Sequence, residues 1–124
     1  MVVLDTSVII DYLLGNSEVV ALFEEILTKE DVKTTAITEY ELLRHKDRIK
    51  KQAAERFLSN AVVYPFDRVA AKEAGDLFLD LQANGRMVNE NDLLIEAIAL
   101  AHNEVMLTRD KKLANIGKDN VRTV

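Results

Sequence analysis

The run Met1-Val2-Val3-Leu4 is apolar on consecutive residues and stops at a carboxylate, Asp5. A half-buried strand alternates apolar with polar residues. A strand buried on both faces does not, and such runs belong to parallel sheets covered by helices. The small hydroxyl pair Thr6-Ser7 then opens a helical stretch, Val8 to Leu14. Strand, polar turn and helix in that order point to an α/β fold. In open parallel sheets, ligands sit just beyond the carboxyl ends of the strands, which is where this pattern puts Asp5.

The rest of the chain repeats the alternation. The first helix stops near Gly15, and Ser17 is placed to cap a second helix carrying Val19, Leu22, Phe23 and Ile26 at helical spacing. Val32 to Thr35 reads as a short strand, Thr38 to His45 and Asp47 to Ser59 as helices, and Ala61 to Tyr64 as a third strand ended by Pro65. Asp67 caps a long amphipathic helix that Asn84-Gly85 terminates. A polar loop, Arg86 to Asn91, leads into a helix from Asp92 to His102. Val105 to Leu107 is a fourth strand, Lys111 to Ile116 a short helix or turn, and Val121 to Val124 a terminal strand. The expectation is one domain over residues 1–124 with a central parallel sheet of about four or five strands and helices on both faces.

Composition narrows the function classes. With 48 % apolar and 30 % charged residues, the 124-residue chain has ordinary globular proportions. Its apolar runs are too short for a membrane span, and Asp5 interrupts what a secretory signal would need to keep apolar. There is no Cys, hence neither a disulfide framework nor a thiolate metal site. A cytoplasmic protein with no membrane role is expected. The net charge of −5, from 21 acidic and 16 basic residues, argues against a generally basic nucleic-acid binder. It leaves room for a nuclease whose carboxylates are neutralised by metal ions.

Four carboxylates occupy strand ends or helix starts. Asp5 and Asp110 follow strands; Glu41 and Asp92 lie near helix starts. Each has a plain alternative as a cap: Thr38-Glu39-Tyr40-Glu41 matches a capping box, and Asp92 suits a helix dipole. Jointly, all four are candidates for one edge of the sheet, and like charges brought together there call for cations. Oxygen ligands without Cys or paired His select Mg²⁺ or Mn²⁺, and the chemistry this suggests is phosphodiester hydrolysis. Ser7 and Thr108 either orient the carboxylates or a metal-bound water through hydrogen bonds, or serve only as turn residues. Glu96, one turn after Asp92, is either a further ligand or supporting group, or an exposed surface acid.

Arg44, His45, Lys46, Arg48, Lys50 and Lys51 form the one dense basic stretch. It is either a solvated helix face or a rim that contacts RNA phosphates or an acidic partner. His102, late in its helix, suits the dipole there and is not assigned a catalytic role.

Taken together, these motifs resemble those of PIN-domain proteins, and the chain is similar in size to VapC-type toxin ribonucleases of toxin–antitoxin pairs. Val3-Leu4-Asp5-Thr6-Ser7, Glu41-Leu42-Leu43, Asp92-Leu93-Leu94-Ile95-Glu96-Ala97 and Leu107-Thr108-Arg109-Asp110 resemble the family's four motifs in order, over essentially the whole chain. The resemblance implies an acidic metal site of Asp5, Glu41, Asp92 and Asp110, supported by Ser7 and Thr108. It also implies Mg²⁺- or Mn²⁺-dependent cleavage of RNA, a homodimer, and a VapB-like antitoxin. His45 stands where the family often has Gly, and Glu96 where Ala is frequent.

Other acidic α/β classes fit less well. A phosphorelay receiver wants adjacent acids after strand one, a haloacid-dehalogenase-type phosphatase wants Asp where Ser7 stands, and a metal-dependent adhesion site is broken by Ile9. The remaining rival is a PIN-like module that binds RNA or protein without cleaving.

Overall fold

A computed structural model describes residues 1–124. Five strands, all paired in parallel, alternate with six α-helices: β1 (Val2–Leu4), α1 (Thr6–Leu13), α2 (Ser17–Leu27), β2 (Lys33–Thr35), α3 (Ala36–Leu43), α4 (Arg48–Ser59), β3 (Val62–Tyr64), α5 (Arg68–Ala83), α6 (Glu90–Ala101), β4 (Val105–Thr108) and β5 (Val121–Thr123). A 3₁₀ helix, Lys111–Ile116, joins β4 to β5. β4 is central to a three-stranded ladder, pairing Leu4 with Leu107 on one side and Thr108 with Thr123 on the other. β2 and β3 form a second ladder that pairs Thr35 with Tyr64. The two ladders meet where Thr34 Oγ1 donates to the Leu4 carbonyl at 2.8 Å.

The period of two along a strand divides the core. Val3 and Met106 face one side and join a buried cluster with Ala74, Leu77 and Leu81 of α5 and Leu93 and Ala97 of α6. Leu4 and Leu107 face the other and join Val8, Val19, Phe23, Leu42 and Leu58 from α1 to α4. Phe23 stacks on Tyr12 at 4.0 Å, and Phe57 tilts against both rings. Burying a side chain such as Phe23 contributes about 1.5–3 kcal/mol. Helices on both faces leave the strand ends as the accessible polar edges.

Local chemistry sets the helix starts, with small departures from expectation. α1 begins at Thr6 because Asp5 caps it, accepting from the Thr6 N–H at 2.7 Å. Asn16 rather than Ser17 caps α2, its amide oxygen accepting from two backbone N–H groups. Thr35 ends β2 and caps α3, accepting from Thr38 N–H at 3.1 Å. Thr38 therefore lies inside the helix, and the capping box that is the alternative reading of Thr38–Glu41 does not form. Asn89 caps α6, so that helix starts two residues before Asp92. Asp67 caps α5, and Gly85, at φ +66°, follows its end in the left-handed conformation that glycine adopts freely.

The amino ends of the strands carry a buried ion network. The Lys33 ammonium donates to Glu104 and lies 2.8 Å from Glu30. Glu30 also accepts from the Val2 N–H at 3.0 Å, holding β1 to the chain entering β2. Tyr64 stacks on His102 at 3.7 Å, which gives that histidine a packing role. No single helix is long and apolar enough to cross a membrane.

Candidate active site

The four carboxylates come from four elements around the carboxyl ends of β1 and β4. Asp5 follows β1 directly and is 3 % exposed. One oxygen caps α1; the other accepts from Thr108 Oγ1 at 2.7 Å and Ser7 Oγ at 2.9 Å. Burial raises its pKa, and these hydrogen bonds oppose the rise. The two hydroxyls are themselves held: Ser7 Oγ accepts from the Arg109 N–H, and Thr108 Oγ1 from the Asp110 N–H. Arg109's side chain is turned away, bonding Asp11 at 2.9 Å and the Val124 carbonyl at 3.0 Å.

Glu41 reaches this edge from α3. Thr6 Oγ1 donates to it at 2.6 Å, and the Asn91 amide donates to its other oxygen at 3.4 Å. Thr6, Asn91 and Thr38, whose hydroxyl oxygen lies 3.0 Å from Thr6 Oγ1, are residues that sequence reasoning did not assign to the site. The signal for Thr6 was its place inside Asp5-Thr6-Ser7, where it reads as a helix opener. Asp92 sits in the first turn of α6. Its pKa is pushed up to about 6 by burial and then by repulsion from Asp5, Glu41 and Asp110. The repulsive part of that shift reflects Asp5, Glu41 and Asp110 lying near enough to act on its charge. Asp110 also caps the 3₁₀ helix, accepting from the Lys112 N–H at 2.9 Å, so its cap role and its place at the edge coexist.

Glu96 belongs elsewhere. It is fully buried rather than surface-exposed, and Asn120 donates to one of its oxygens at 2.9 Å. Its other oxygen has no hydrogen-bond partner, and burial pushes its pKa up to about 7. None of the four carboxylates enters that shift; the Asn120 hydrogen bond and the Lys118 charge oppose it.

This geometry agrees with the family comparison, in which a model described as PIN domain matches residues 2–119. The chain belongs to the PIN domain family. A search of curated protein sequences finds no significant match. Among solved structures, the chain is similar to a DNA-bound VapBC complex from Salmonella typhimurium at a TM-score of 0.85 and 21 % identity, covering 98 % of this chain and 96 % of that one. It is similar to VapBC-1 from nontypeable Haemophilus influenzae at 0.79 and 25 %, covering 100 % and 97 %. For VapBC-5 from Mycobacterium tuberculosis, of a toxin–antitoxin family, the values are 0.72 and 27 %, covering 98 % and 95 %.

The PIN carboxylates here suit a hard divalent ion by type and charge: all are oxygen donors, and their mutual repulsion favours a cation among them. No three acidic or imidazole side chains stand as a ready-made ion cage. Asp92 and Asp110 face a cleft of about 500 Å³ between the α5–α6 loop and the 3₁₀ helix.

The basic stretch runs from the end of α3 into α4, and Arg44, His45, Lys46 and Arg48 are exposed. Arg44 lies 3.8 Å from Glu41 and over the Tyr40 ring. His45 and Lys50 border an apolar groove between α1 and α4 lined by Ile10, Leu13, Leu14 and Ile49. Leu14 and Ile49 are 73 % and 78 % exposed, a notable apolar surface beside so much positive charge.

Proposed function

We propose that this PIN protein is a metal-dependent endoribonuclease and the toxin of a VapBC-type toxin–antitoxin pair. The observation that carries the reading is the placement of four carboxylates from separate elements around the carboxyl ends of β1 and β4, near enough for Asp5, Glu41 and Asp110 to repel Asp92. Asp5, Asp92 and Asp110 would hold Mg²⁺ or Mn²⁺, with Glu41 completing the set. Such an ion supplies positive charge at a phosphodiester and makes water a better nucleophile at neutral pH. The protein's own contribution is orientation. Ser7 and Thr108 hold one oxygen of Asp5, while Thr6 and Asn91 hold Glu41, so the carboxylates lose little freedom when an ion or phosphate arrives. Attack by water with departure of the 3′-oxygen leaves 5′-phosphate and 3′-hydroxyl ends.

The antitoxin reading is supported by the solved complexes the chain is similar to, and by the groove between α1 and α4. Its apolar lining and the cations of Arg48, Lys50 and Lys51 suit an amphipathic acidic helix. A homodimer follows from the same family reading.

The test is cleavage of a structured RNA pool by the purified chain with Mn²⁺ or with chelator, beside Asp5→Asn. Metal-dependent cutting lost in the variant supports the nuclease. Products ending in 2′,3′-cyclic phosphate overturn the hydrolytic route, because they form by attack of the RNA's own 2′-hydroxyl. A folded protein that binds Mn²⁺ but cuts nothing favours a binding module instead.

A further inference from the structure

The cleft beside Asp92 and Asp110 holds chemistry that phosphodiester hydrolysis does not use. Its volume of about 500 Å³ lies in the range of pockets that enclose small organic ligands. One wall is the α5–α6 loop, which contributes Met87, Val88 and Asn89; the other is the 3₁₀ helix, with Lys112, Leu113 and Asn115. Leu113 is buried and adds apolar surface to one wall, while Met87, a large apolar side chain of the other, is 60 % exposed. The Asn89 oxygen is committed to capping α6, which leaves its NH₂ as a donor. Asn115 and Lys112 are exposed, and their side chains enter none of the protein's hydrogen bonds or ion pairs.

The two walls are braced against each other. The Arg86 guanidinium crosses Gly117 so closely that a β-carbon there would stand 2.5 Å from Nη1. Gly117 itself has φ +72°, and Lys118 lies 3.9 Å from Asp80 of α5. The loop and the end of the 3₁₀ helix thus lie in contact.

We propose that this cleft binds one unpaired nucleobase next to the cleaved phosphate and so sets the base preference of cleavage. The inference rests on the nuclease reading above. The apolar faces that a flat ring would meet are the polarisable Met87 side chain and Leu113. The Asn115 amide offers an acceptor and two donors to the base edge, and the Asn89 NH₂ adds another donor. Lys112 meets the neighbouring phosphate as a point charge. The base must be unpaired, because single-stranded RNA is read by splaying bases out onto side chains.

The experiment has two arms. In the first, the folded protein with Mg²⁺ is titrated with each of the four ribonucleoside 5′-monophosphates, followed by NMR at the Asn115 amide and Met87 methyl. Binding that shifts both signals, and weakens about fivefold or more in Asn115→Ala, is expected. Absence of shifts at these residues, or shifts confined to Arg44–Lys51, overturns the proposal. In the second arm, the ends of RNA cut by the wild type and by Asn115→Ala are sequenced. A preference at one position beside the cut that falls about fivefold or more is expected; an unchanged profile at every position overturns the base pocket. The two readings fail separately. A protein that binds a mononucleotide in the cleft but cuts no RNA keeps the pocket and loses the nuclease. One that cuts RNA but binds no base there loses the pocket alone.

Discussion

Thr6 Oγ1 donates to Glu41 Oε1 at 2.6 Å, fastening the first turn of α1 to α3 at the carboxylate-bearing edge. The bond joins a residue that looks like a helix opener to an acid that looks like part of a capping box, and it gives both a different role. Thr6→Ala is expected to lower kcat/KM for RNA cleavage by roughly 10–100-fold. Stability should fall by only about 0.5–1.5 kcal/mol. Thr6→Ser, which keeps the hydroxyl, should restore most of the rate. Equal losses in Thr6→Ser and Thr6→Ala would remove the hydroxyl from the account.

Asp92 is held among like charges, so removing its charge should relieve strain in metal-free buffer. Asp92→Asn is expected to raise the melting temperature in chelator by on the order of 3–6 °C. The same variant should lose most of the further rise that Mn²⁺ gives the wild type. Differential scanning fluorimetry with and without Mn²⁺ reads both effects. A lower melting temperature in chelator would instead make Asp92 a structural residue.

Glu96 links stability to pH. Its folded pKa of about 7 lies above the ordinary 4.5, so the neutral form is the one the fold favours. Its contribution is complete below the ordinary value, declines as pH rises, and is gone above the folded one. Across that window the protein should lose roughly 3 kcal/mol of stability relative to Glu96→Gln. Urea unfolding of both proteins between pH 5 and 8 (about the span over which the shift acts) measures the difference, and parallel curves would refute it.

Lys33 tests the opposite edge of the sheet. Both Lys33 and Glu104 are buried, and removing the cation alone leaves the carboxylate without its partner. Lys33→Ala is expected to cost about 3–5 kcal/mol. Lys33→Met combined with Glu104→Gln should recover much of that loss, because it removes the uncompensated charge as well as the pair. Equal destabilisation in both variants would show that packing, rather than charge, dominates there.

The elements were legible wherever one local pattern decided them. Consecutive apolar residues ending at Asp5, or the run Val105 to Leu107 before Thr108, specify buried strands, and the acids and hydroxyls that follow them are carried to one edge. Misreadings arose where two local patterns competed. Thr35 and Thr38 can each cap α3, and the choice depends on where β2 stops, which its pairing with β3 determines. Glu96 was ambiguous because its partner, Asn120, lies on the far side of β4 in the chain. The pairing of Lys33 with Glu104 spans 71 positions and leaves no local trace. The cleft depends on how the α5–α6 loop meets the 3₁₀ helix, a relationship of two turns that periodicity does not describe.

The bond from Thr108 to Asp5 crosses 103 positions, and it sets an order of events during synthesis. The first carboxylate leaves the ribosome well before the hydroxyl that fixes it, which arrives only with β4. Parallel pairing of such distant segments is slow to form. A growing chain therefore carries Asp5 unfastened, and its strand lacks its central neighbour. For a protein proposed to cut RNA, this topology acts as a safety catch: the carboxylate edge can be assembled only after β4 has been translated.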